Sequence, residues 1–173
     1  MTAIRDGQDE LVARLQEGAF FGRWPASDVA ALIERCALET FHVGEPLWTQ
    51  GQTEQRAFLL VRGRIERTQR SWPDLQRTQQ FSEPGALMSI SSLVSAWAHT
   101  SAAYPLEPSE VLVLDHAAFQ QLMDAHHPAA FRLVDAIAEN LVHEMRDVNR
   151  RLQEVFGHPA ETLRSLQRRM RDR

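Results

Sequence analysis

Residues 84–102, PGALMSISSLVSAWAHTSA, hold the residue types best suited to gripping a ligand. A Pro84-Gly85 turn leads into small polar residues, Ser89, Ser91 and Ser92, with Ile90 among them. An apolar hump over 93–98 follows, then His99 and a second small cluster, Thr100-Ser101-Ala102. Small side chains leave backbone amides unobstructed, and a short helix starting among the serines would add its positive N-terminal dipole. That chemistry suits an anion, a phosphate above all. The same composition also suits a serine-rich connection between two strands.

Other chemistry is thinly represented. The chain has no lysine, and its nineteen basic residues are all arginines, which excludes a phosphate-loop lysine or a Schiff base. His143-Glu144-Met145-Arg146-Asp147 approaches the zinc motif HExxH, but Asp147 stands where the second histidine belongs. His126-His127, just before Pro128, read as the end of one helix and the start of the next rather than as metal ligands. No nucleophile–base–acid order and no paired-acid motif occurs, so no enzyme activity and no metal site is expected.

At 173 residues and 43% hydrophobic composition, the sequence predicts one domain with a sizeable core, extended by a helix. It shows no N-terminal apolar leader and no run of eighteen apolar residues, so neither export nor membrane spanning is expected. The single Cys36 has no internal disulfide partner, which fits a cytoplasmic location and excludes an iron–sulfur cluster held by one chain's cysteines. Net charge is −4 but uneven: residues 164–173 carry five arginines and one aspartate, leaving −8 for the rest. Only the tail has the sign to attract nucleic acid.

The elements that would position the serine-rich stretch are legible from periodicity. Residues 8–16 read as an amphipathic helix with Leu11, Val12 and Leu15 on one side, followed by a Phe20-Phe21 anchor. A second helix is expected from Pro25, with Asp28 near its positive end and Val29, Leu32, Ile33 and Cys36 as its buried stripe. From Leu38 onward, short apolar segments at 41–43, 47–49, 58–61, 65 and 75–81 are divided by Gly44, Gly51, Gly63 and Gly85. Each glycine falls where a strand would have to turn, which predicts a jelly roll or a similar double-sheet barrel. Residues 111–114 form a buried strand, and Asp115 caps a helix over 116–125 with Phe119, Leu122 and Met123 inward.

Gly44-Glu45, Gly51 seven positions on, and Gly63 twelve further after Phe58-Leu59-Leu60-Val61 together resemble the signature of the cyclic nucleotide-binding domain. This is the regulatory domain of catabolite activator protein-type transcription factors, protein kinase A regulatory subunits and gated channels. The resemblance runs on through Pro84-Gly85, Val113-Leu114 and both later helices, covering residues 13–155. It implies an α+β fold, a β jelly-roll barrel flanked by N-terminal helices and a long C-terminal dimerisation helix. In the family a Gly-Glu pair binds the ribose 2′-hydroxyl and an arginine pairs with the cyclic phosphate. Aligned from Gly85, the pair falls on Ser89-Ile90 and the arginine on Thr100, with Ser101 and Ala102 matching the residues after it. Losing such a charge-assisted pair costs about 2–5 kcal/mol, so tight cyclic AMP binding is not expected unless Arg62, Arg64 or another arginine takes over. The candidate pocket residues are then Gly85, Ser89, Ile90, Ser91, His99, Thr100 and Ser101. His99 could replace the arginine as a weaker phosphate partner, ligate haem as some family members do to sense gases, or stand solvated in a loop.

A long helix is expected over Pro128–Phe156. Val134, Ala138, Leu141, Met145, Val148, Leu152 and Val155 are spaced 4, 3, 4, 3, 4, 3, three heptads of an a/d seam. Leu133 and Ile137, with Leu141 shared, form a second line toward the barrel. In the family this helix is the dimer interface, so a homodimer is expected; the alternative is a seam packed on its own chain. Gly157-His158-Pro159 ends the helix, dividing a domain over 1–156 from a short basic amphipathic helix over 157–173. Too few residues follow for the family's helix-turn-helix domain. The tail could dock on the partner subunit, touch an acidic protein or stand in solvent. Three readings result: a homodimeric regulatory domain with an altered pocket, a ligand-independent dimerisation and protein-docking module, and, weakest, a DNA binder acting through the tail.

Overall fold

The structure is a computed structural model that describes residues 2–71 and 75–157, so the expected tail helix lies outside the described residues. Helix α1 (Thr2–Gln16), a 3₁₀ turn (Phe21–Arg23) and α2 (Ala26–Ile33) precede seven strands. These are β1 (Ala37–Phe41), β2 (Arg56–Arg62), β3 (Ile65–Ser71), β4 (Leu75–Phe81), β5 (Leu87–Met88), β6 (Ala102–Pro105) and β7 (Ser109–Asp115). Helices α3 (His116–Asp124) and α4 (Pro128–Phe156) complete the order. The strands form two antiparallel sheets, β1-β7-β2-β5 and β4-β3-β6, the expected double-sheet roll.

Strand β2 shows why the apolar run at 57–61 defeats a period-two reading. Phe58 and Leu60 join Trp48, Ile65, Met88, Val111 and Val113 in the core shared by both sheets. Ala57, Leu59 and Val61 lie on the opposite face and are also buried, with Arg14 of α1 donating to the Val61 carbonyl at 3.4 Å. A strand covered on both faces reads as continuous hydrophobicity. The four expected glycine corners all take positive φ: 95° at Gly44, 92° at Gly51, 106° at Gly63 and 76° at Gly85.

Several expected boundaries move. Helix α1 begins at Thr2, well before residue 8. Pro25 caps α2 from outside, at φ −55° and ψ 138°. Cys36 falls three residues beyond α2 and donates its thiol hydrogen to the Leu32 carbonyl at 3.3 Å. Burial, with a smaller contribution from Asp115, pushes this thiol up to about 12, so it packs and does not react. The strand expected at 41–43 is β1 instead, pairing with β7 from Ala37↔Val113 to Phe41↔Ser109. Its end is fixed at His42, whose amide donates to the Glu45 side chain at 3.0 Å to begin the Gly44 turn. Residues 47–49 contribute a single bridge, Trp48↔Ala103. Asp115 caps α3 as expected, accepting from the Ala118 amide at 2.7 Å.

Packing divides the chain at Val134/Asp135, within α4. In the first part, Asp28 accepts from Arg132 Nε at 3.0 Å, and the same guanidinium lies 5.7 Å over the Trp24 ring. Trp24 in turn packs edge-on to Phe21, which anchors the 3₁₀ turn as expected. From Asp135 onward the helix keeps Ile137 buried, while Leu141, Met145, Val148 and Leu152 are exposed.

Candidate functional site

The serine-rich stretch forms a single 3₁₀ turn, Ile90–Leu93, after the two-residue β5. Four residues are too few for a useful helix dipole, so the expected anion cradle at a helix N-terminus is not formed this way. Ser89 enters the turn at φ 56° and ψ 28°, a left-handed conformation that a non-glycine residue adopts at a cost of about 1–2 kcal/mol. Its side chain takes part in a local network. Ser92 Oγ donates to the backbone carbonyls of Arg56 or Ser89, and Ser89 Oγ donates to Ser92 Oγ at 3.2 Å. His99 Nδ1 lies 3.4 Å from Ser89 Oγ, across from the turn.

His99 is held by its backbone: its amide donates to the Gln52 carbonyl at 2.7 Å, and its carbonyl accepts from the Gly51 amide at 2.9 Å. The imidazole stacks on Trp48 with ring centroids 5.6 Å apart and planes at 31°. Trp48 stacks in turn on Phe58 at 5.2 Å. Burial pushes the His99 pKa below the ordinary 6.5, against an opposing pull from Glu54. His99 is therefore neutral in the folded protein at pH 7. The unfolded chain takes up this proton as pH falls through 6.5, so His99 stabilises the fold above that pH and the contribution drains away below it. Urea melts at pH 7.5 and 5.5 are expected to show a smaller acid loss for His99→Asn than for the wild type; equal losses would remove His99 from this role.

The other expected site residues divide. Ile90 is 6% exposed and Ser101 is 9% exposed, both closed from solvent, while Ser91 is half-buried and Thr100 exposed. Gly85 serves the fold: its amide donates to the Leu60 carbonyl at 2.7 Å. A side chain there would meet the Leu15 carbonyl at 2.7 Å and the Phe21 ring at 3.0 Å. Arg62 and Arg64, candidates only as arginines that could take over the phosphate, make other contacts. Arg62 lines a cleft of about 720 Å³ with Leu11, Arg14 and Glu110, and Arg64 pairs with Glu107 at 3.4 Å. None of the expected pocket residues lines that cleft.

Trp48 and Arg56 are the residues that sequence reasoning missed. Trp48 lies in a segment read only as a short strand, and its approach to His99 depends on the bridge to Ala103. Arg56 touches the turn through its backbone carbonyl, which receives Ser92, while its guanidinium is paired with Glu54 and lies over Phe58. Among the described residues, no group of three histidine, cysteine, aspartate or glutamate side chains is placed to hold a metal ion. Also among them, no helix is long and apolar enough to cross a membrane.

Comparison with known proteins assigns the class. The family model of the cyclic nucleotide-binding domain matches residues 38–126, just over half of the chain. The chain belongs to that family. Among solved structures it is similar to the catabolite activator protein of Thermus thermophilus, with 20% identity and a TM-score of 0.66 over 76% of this chain. The chain spans only 62% of that protein's length. A cyclic nucleotide-binding domain from Methylobacillus flagellatus KT matches at 15% identity and a TM-score of 0.68, covering 86% of this chain and 84% of that one. The sensor domain of the transcriptional regulator DNR from Pseudomonas aeruginosa matches at 15% identity and 0.61, covering 84% and 95%. At these identities the structures establish the fold. A comparison with curated protein sequences found no match.

Proposed function

We propose that the chain is a non-enzymatic regulatory domain that pairs with a second copy through α4 and whose cassette does not grip a cyclic phosphate by an acid–arginine pair. The observation that carries this reading is the exposed seam. Val134, Leu141, Met145, Val148 and Leu152 are between 37% and 65% exposed on one helix whose other line, Leu133 and Ile137, is at most 5% exposed. Five large apolar side chains at heptad spacing form the surface that a twin helix buries. A bistable helix pair of this kind is also a means of reporting an event in the adjoining domain. The sensor-domain relatives lend the same direction to the reading, and DNA recognition is no part of it.

Met145→Glu tests the pairing. A two-fold helix pair brings two such carboxylates into one apolar seam, and an unpaired charge buried this way costs about 3–5 kcal/mol. Light scattering is expected to show a dimer for the wild type and a monomer for the variant; an unchanged dimer would move the interface elsewhere. A second reading, a protein-docking module with a closed pocket, draws on Ile90, which is buried at the position aligned with the family's ribose-binding acid. A thermal-shift series with cyclic AMP, cyclic GMP and cyclic dinucleotides separates the two, since a ligand at 100 times its Kd stabilises the fold by about 2.7 kcal/mol.

A further inference from the structure

The cover over the first sheet stops short of its outer strand. Leu38, Leu112 and Leu59 are register partners across β1, β7 and β2, so their side chains form one row on the face opposite the shared core. Along that row Leu59 and Leu112 are at most 1% exposed, whereas Leu38 is 54% exposed. The burial given to β2 and β7 is half lost at β1, which ends the sheet.

The gap is the cleft of about 720 Å³. Its floor is apolar, formed by Leu11 of α1, Ile33 of α2, Leu38 of β1 and Val61 of β2. Its walls are tied together. Gln8 of α1 donates to the Ala30 carbonyl of α2 at 3.3 Å and to the Glu34 carboxylate at 3.2 Å. Arg14 Nε holds α1 to the Val61 carbonyl. The opening therefore belongs to the folded frame.

Charge around it has one sign in excess. Arg14 is paired with Glu17 at 3.2 Å. That leaves Glu10, Glu34 and Glu110 against Arg62 in the lining. Among the described residues none of these four makes an ion pair.

We infer that this cleft docks a basic amphipathic helix of a partner protein, laid over Leu38 beside α1. A small-molecule site encloses about 70–90% of its ligand, whereas a floor with a half-exposed leucine leaves one side of its occupant in water. A helix supplies a polar face for that side and extends the helical layer across the sheet. Arginine or lysine beside its apolar stripe matches the three carboxylates, which repel an acidic helix. The lining comes from α1, α2 and the first sheet, so the inference goes beyond the pairing through α4 and does not rest on it.

The test pans a phage-displayed library of random peptides against the full chain, each about 18 residues and so long enough to form a helix. The enriched sequences are expected to carry large apolar residues at i, i+3 or i+4, and i+7, with an excess of arginine and lysine. By fluorescence anisotropy the leading peptide should bind Leu38→Asp about tenfold or more weakly, since a charge then faces its apolar stripe. Glu110→Arg should weaken it roughly threefold, and carries the test if Leu38→Asp fails to fold. No enrichment, an acidic consensus, or wild-type affinity in both variants would overturn the inference. A consensus alternating at every second residue would assign an added strand along β1 and overturn it too. Binding seen only after Arg164→Glu and Arg168→Glu would give the cleft to the chain's own residues 158–173 instead of a partner. Loss of the dimer in Leu38→Asp would give it to a second copy; Met145→Glu reads the α4 pairing separately, so the two readings fail apart.

Discussion

Placing the family's acid and arginine at the positions aligned with them, Ile90→Glu together with Thr100→Arg, is expected to raise affinity for cyclic AMP by roughly 30- to 5,000-fold over the wild type. The range is the cost of about 2–5 kcal/mol for a lost buried, charge-assisted pair, read in the opposite direction. Two properties of the site make the effect depend on the pair. Ile90 is 6% exposed, so Ile90→Glu alone would place an uncompensated carboxylate where solvent does not reach, and that single change is expected to destabilise the fold. Thr100 is exposed, so an arginine there is tolerated but gains little without a phosphate to grip. Calorimetric titration of wild type, both single variants and the double variant closes the cycle. Equal affinity in wild type and double variant would show that something other than these two positions bars the nucleotide.

The fold was legible because its cues are local. Gly44, Gly51, Gly63 and Gly85 mark corners by conformation, and each of the four takes a positive φ. The long helix was legible from end to end, Pro128–Phe156, because a helix start at proline and a break at Gly157 are both sequence signals. The site was not legible in the same way. That Ser89 is left-handed, that Ser92 reaches back to the Arg56 carbonyl, and that Trp48 stacks on His99 all follow from pairings between distant segments. No period in the sequence encodes them. Arg62 and Arg64 were candidates only because their type was right; their places, at the cleft near α1 and beside Glu107, are set by the turn at Gly63. Val155 closes the expected seam, and its side chain lies outside the described residues.

Gly63→Ala is expected to cost about 2–5 kcal/mol of stability, a large part of the roughly 5–15 kcal/mol typical of a domain. Two separate effects add. A backbone at φ 106° is outside what an L side chain adopts readily, worth about 1–2 kcal/mol. The added Cβ would also stand 2.7 Å from the Ser109 Cα and closer still to its hydroxyl. Ser109 cannot yield: it is 0% exposed, its Oγ donates to the Glu107 carbonyl at 2.7 Å, and it accepts from the Arg64 amide at 3.1 Å. The β2–β7 register shifts between Leu60 and Arg62, with Val61 as the extra residue of β2, just before this corner. Overpacking of such a contact adds about 1–3 kcal/mol. Gly44→Ala separates the terms, because Gly44 has φ 95° but an added Cβ there meets nothing within 4 Å. Urea unfolding should rank wild type above Gly44→Ala and Gly44→Ala well above Gly63→Ala. If the two alanine variants unfold at the same midpoint, the close approach of β7 to this turn is not what makes residue 63 a glycine.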